Sequence, residues 1–109
     1  MSAQYEEYLA EQLLLTDDPV GVCVRRMIES FPEADLALIV LAMAGLAADI
    51  ELGQGASGYP PGLPDQIYRA TALLSVDILI LSRDGGRVPG GADLLRHWIG
   101  TGEAVFASG

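Results

Sequence analysis

The hydropathy pattern is dominated by residues 36–48, thirteen positions without a charged or hydrogen-bonding side chain, bounded by Asp35 and Asp49. The bulky residues Leu36, Ile39, Val40, Met43, Leu46 and Ile50 recur at helical spacing, while Ala37, Ala44 and Ala48 make a second, smooth face. The pattern predicts a helix over about 33–52, opened at Ser30-Phe31-Pro32-Glu33 and ended by Gly53. A helix that is apolar all round has to be covered on every side. Thirteen clean residues fall short of the ~20 needed to span a bilayer, so the segment reads as the centre of a core.

Other stretches carry a helical period with one apolar side. Over residues 4–15, Tyr5, Tyr8, Leu9 and Leu13 oppose Glu6, Glu7 and Glu11. Asp18 and Pro19 then suit the cap and first residue of a second helix, about 19–31, with Val20, Cys23, Val24, Met27, Ile28 and Phe31 on one stripe and Gly21 a local weakness. Residues 53–64 hold four glycines and three prolines and form a loop. A fourth helix is predicted from Pro64-Asp65-Gln66 to about Arg83, apolar almost all round except for a strip of Thr71, Ser75 and Ser82, with Asp77 the one charge deep inside it. Its rival is a buried strand over 76–81, where three β-branched residues cluster, which would make the chain α/β. After the hinge 85–91 a short fifth helix, about 92–99, carries Leu94, Leu95, Trp98 and Ile99 on its apolar side, and the tail 103–109 offers Val105 and Phe106 for docking.

These elements predict a single all-α domain over residues 1–109, a four-helix-bundle-like core with a short fifth helix. Two apolar rods of ~18 residues, each about 27 Å long, are too much for three short amphipathic helices to wrap. A symmetric homodimer resolves the surplus. The interface expected from the pattern uses Ala37, Ala44 and Ala48 of the third helix with Thr71 and Ser75 of the fourth.

Composition sharpens this picture. Half the residues are hydrophobic and only 19% charged, which favours self-association. The net charge of −9 comes from fifteen acidic residues spread along the chain, which argues against nucleic-acid and anionic-membrane partners. One cysteine, Cys23, excludes an internal disulfide, and the acidic N-terminus lacks the basic region of a signal peptide, so a soluble cytoplasmic protein is expected.

Candidate chemistry is sparse. Cys23 and His97 are each the only residue of their type, too few for a structural zinc site, and no metal or cofactor is expected. Cys23 sits on an apolar stripe and reads as a packed thiol more than the nucleophile of a Cys23–His97 pair. Asp77 is either paired with an arginine, Arg26 or Arg69 being the partners in reach, or it is a site carboxylate. Arg25-Arg26 suits either an anion clamp or neutralisation by Glu29 and the acidic first helix. The glycine-rich run 84–91 precedes a helix but matches no phosphate-loop spacing. Tyr59-Pro60-Pro61 offers a short extended docking segment.

The function these features favour is a non-catalytic interaction or regulatory module, acting as a homodimer on a protein partner. The alternative is a small-molecule binder with an apolar pocket between the central helices and polar contacts from Asp77, Arg26 or Tyr68. A small enzyme using Asp77 with His97 is the third reading.

Overall fold

The computed structural model describes residues 3–53, 58–101 and 105–106. They form α1 (Ala3–Leu15), α2 (Val20–Ser30), α3 (Leu36–Glu51), α4 (Leu63–Gly85) and α5 (Gly91–Thr101). There is no strand among the described residues, so the chain is all-α. The predicted rival strand over 76–81 lies in the body of α4, one continuous helix of 23 residues closed at its C-terminal end by the Gly86 N–H donating to the Ser82 carbonyl. Gly62 and Gly86 take the left-handed conformation at its two ends, φ +78° and +67°, and Pro64 stands in its first turn. No helix among the described residues is long and apolar enough to cross a membrane.

Two helix starts differ from the sequence pattern for a physical reason. Asp18 does not cap α2, whose N-cap is Pro19; the Asp18 carboxylate is held 2.8 Å from Arg26 instead. The segment 31–34 does not open α3 either. Pro32 disfavours helical geometry at Phe31, which ends α2 by donating its N–H to Met27. Asp35 then caps α3, accepting the Ala37 N–H at 3.0 Å.

Packing gives each helix a distinct role. α3 lies against α4 and α1, α2 against α1, α4 and α5, and α5 against α2 and α4. The core draws Leu9, Met27, Ile28, Ile39, Met43, Ile67, Leu74, Leu94 and Trp98 from all five helices. Beyond α5, Phe106 is fully buried and stacks on Trp98 with ring centroids 4.4 Å apart. Gly21 admits this return: a Cβ there would stand 1.6 Å from the Val105 carbonyl oxygen. Of the predicted docking tail 103–109, residues 105–106 are described and they pack on α2 and α5; the rest lies outside the described residues.

The chain's accessible surface is 6068 Å², close to the ~5,800 Å² usual for a monomer of this mass. Even so, apolar side chains remain outside. Within one chain α3 is not covered on every side: Ala37 is exposed and Leu41 is 59% exposed, while Ala44 and Ala48 are half-buried. The physical reason is that α1 and α4 flank α3 on two sides only. On α4 the buried line is Leu63, Ile67, Ala70, Leu74 and Asp77, and the opposite side leaves Leu73, Val76, Leu79 and Ile80 exposed.

Candidate functional site

Asp77 is the one charged residue buried among the described residues. It sits on the inner line of α4, three residues beyond Leu74, and faces α5. Its Oδ2 accepts the indole N–H of Trp98 at 2.8 Å, and its Oδ1 is 3.6 Å from Nε2 of His97. A buried carboxylate needs donors and a buried indole needs an acceptor, so the two satisfy each other. The arginines expected as partners are placed elsewhere. Arg26 donates to Asp18 at 2.8 Å and to Gln12 at 2.7 Å, and Arg69 is exposed on the far side of α4. The sequence signal for the true partner was the lone Trp on the apolar side of the fifth helix, whose N–H must find an acceptor when buried.

The three residues expected to line a ligand pocket do not converge. Tyr68 donates to Glu51 at 2.7 Å on the exposed side of α4, which pushes its hydroxyl pKa up, and Arg26 belongs to the α1–α2 corner. Of the five residues expected at an interface, Ala37 and Ser75 are exposed, and Ala44, Ala48 and Thr71 are half-buried. Thr71 and Ser75 turn their hydroxyls back onto their own helix, to the carbonyls of Ile67 and Thr71.

The other candidate groups are absorbed by local structure. Cys23 is fully buried, its Sγ 3.9 Å from both Thr16 Oγ1 and the Asp18 carbonyl, and burial pushes its thiol pKa up. A thiol so placed is a poor nucleophile, and His97 pairs with Asp77 instead. Arg25 lies 3.6 Å from Glu29 and donates to the Phe106 carbonyl at 3.1 Å, tying the chain end to α2. The N-terminus of α5, after the glycine-rich run, is already occupied by an anion of its own. Asp93 accepts the Gly90 N–H at 2.8 Å and pairs with Arg87 and Arg96. The Gly90 N–H first, then Arg87, hold its carboxyl below the usual aspartate range.

Glu6 and Asp49 bring two carboxyls together across α1 and α3, the Glu6 carboxyl lying beside Gly45 of α3. Partial burial, then the shared hydrogen bond and repulsion with Asp49, raise the Glu6 pKa. Tyr59 of the loop is half-buried, with Pro60 and Pro61 exposed beside it. Among the described residues no group of three His, Cys, Asp or Glu side chains is placed to hold a metal ion.

What the arrangement offers chemically is a satisfied polar pair inside the protein and a bare aliphatic surface outside it. Comparison of the chain with protein-family models, curated proteins and solved structures returned no match.

Proposed function

We propose that this protein is a non-catalytic helical interaction module that works as a homodimer on a protein partner, in the cytoplasm. The observation that carries the reading is the outer side of α3 and α4. Leu41, Leu73, Val76, Leu79 and Ile80 are each 40–59% exposed there. The four on α4 share one side of that helix and expose on the order of 350 Å² of aliphatic surface, in the size range of apolar patches that are often functional. A buried free cysteine suits a reducing compartment, and a charge of −9 repels nucleic acid and anionic lipid.

Two other readings keep one observation each. A cleft of about 580 Å³ lined by Leu13, Thr16, Asp17, Val20, Leu63 and Gln66 would suit a small ligand, at the α1–α2 corner and not between the central helices. His97 and Asp77 do meet, as the enzyme reading requires, but at side chains 19% and 10% exposed. Sedimentation equilibrium between 1 and 100 µM (concentrations on the order of typical dimer affinities) tests the proposal. The expected result is a mass of twice 11.5 kDa. A monomer throughout that range would remove the interaction module and favour the cleft.

A further inference from the structure

We infer that α4 pairs with α4 of a second copy, antiparallel, along a seam of Asp65, Arg69, Ala72, Val76, Leu79 and Arg83. The inference rests on the proposed self-association and names the surface and orientation that carry it. The six positions advance by four, three, four, three and four residues, the alternation that keeps one line of a helix facing a partner helix. All six are exposed, and Leu73 and Ile80 border the line on one side.

Charge supplies the orientation. Of the six arginines, Arg25, Arg26, Arg87 and Arg96 form ion pairs within the chain. Arg69 and Arg83 have no carboxylate partner among the described residues, although the chain carries a net charge of −9, and both stand on this seam. In a parallel pair Asp65 would face Asp65, Arg69 would face Arg69 and Arg83 would face Arg83. In an antiparallel pair with its two-fold axis level with Leu74, Asp65 of each copy meets Arg83 of the other. Ala72 then faces Val76, a small side chain against a branched one, and the Arg69 stem lies over Leu79. Like charges opposite one another are selected against and opposite charges fix register, so the antiparallel form is the one this sequence specifies.

The area fits as well. Leu73, Val76, Leu79 and Ile80 expose on the order of 350 Å² per copy, nearly half of the ~800 Å² that each partner contributes to a standard interface. The stems of Arg69 and Arg83 with Tyr68 and Ala72 extend the face along a seam about 27 Å long.

Charge-swap variants of the full chain test this by sedimentation equilibrium, with circular dichroism as the check on folding. Arg83→Asp alone and Asp65→Arg alone should each raise the dimer Kd about tenfold, and the double swap should restore it to within about threefold. Val76→Glu should leave a folded monomer. If Val76→Glu does not fold, the charge swaps decide alone. A wild-type dimer indifferent to all four variants overturns the seam and leaves self-association standing on another face. A double swap no better than either single overturns the antiparallel register. A wild-type chain that stays monomeric overturns both the seam and the reading it rests on.

Discussion

Asp77 and Trp98 are twenty-one residues apart in sequence and form one buried hydrogen bond, so each stabilises the molecule through the other. Replacing Asp77 with alanine strands the indole N–H and should cost about 2 kcal/mol in urea denaturation. An asparagine side chain in its place keeps an acceptor, so Asp77→Asn should cost less; equal losses would show that the carboxylate does not hold Trp98. Glu6 acts in the opposite sense. Its folded pKa lies above the ordinary glutamate value of 4.5, so its contribution is complete below that value and is lost as pH rises through the higher folded one. Glu6→Gln should therefore raise stability at pH 7 by about 0.5 kcal/mol, less in salt, and change little near pH 4. A variant destabilised at pH 7 would show that Glu6 forms a favourable ionised contact. Asp93, with its pKa lowered, contributes stability that is present above the ordinary aspartate range and lost as acid titrates it. At this scale the sequence told little of partners. It marked Asp77 as anomalous but pointed to Arg26 and Arg69, because the position of α5 is set by contacts far apart along the chain.

Helices were legible in the sequence because their apolar periods run unbroken between strong stop signals, and the five observed elements lie where those periods lie. The misplaced ends are those where a capping residue had a competing use, as Asp18 does with Arg26, or where a better cap stood nearby, as Asp35 does. Gly21 shows how an element's local preferences can mislead. Alanine is favoured over glycine in a helix by about 1 kcal/mol, so Gly21→Ala would stabilise α2 in isolation. Here the added Cβ would meet the Val105 carbonyl oxygen at 1.6 Å, backbone against backbone. Gly21→Ala should lower thermal stability by about 1–3 kcal/mol, the usual cost of overpacking. A variant as stable as the parent would show that residues 105–106 leave α2 without penalty.

For the whole molecule the sequence revealed a surplus of apolar residues but not where it falls. α3, the most apolar stretch, is mostly sheathed by α1 and α4, and much of the surplus is left on the outer side of α4. Periodicity alone does not say which side of a helix its neighbours take when apolar residues surround it. The alanine face is the part of the expected surface that this arrangement half covers. Ala44→Glu tests it: with the pairing on α4, the variant should stay a folded dimer of unchanged mass, as read by sedimentation and circular dichroism. A folded monomer would put the contact on the alanine face of α3 and overturn the α4 seam.

The wedged position of Trp98, the chain's one tryptophan, has an optical consequence. Its indole is hydrogen-bonded to α4 on one side and stacked on the Phe106 ring on the other, so its fluorescence reports the seating of everything after the Gly85-Gly86 hinge. During denaturation a red shift that precedes the loss of helical ellipticity would mark the chain end peeling away while the other helices still hold together.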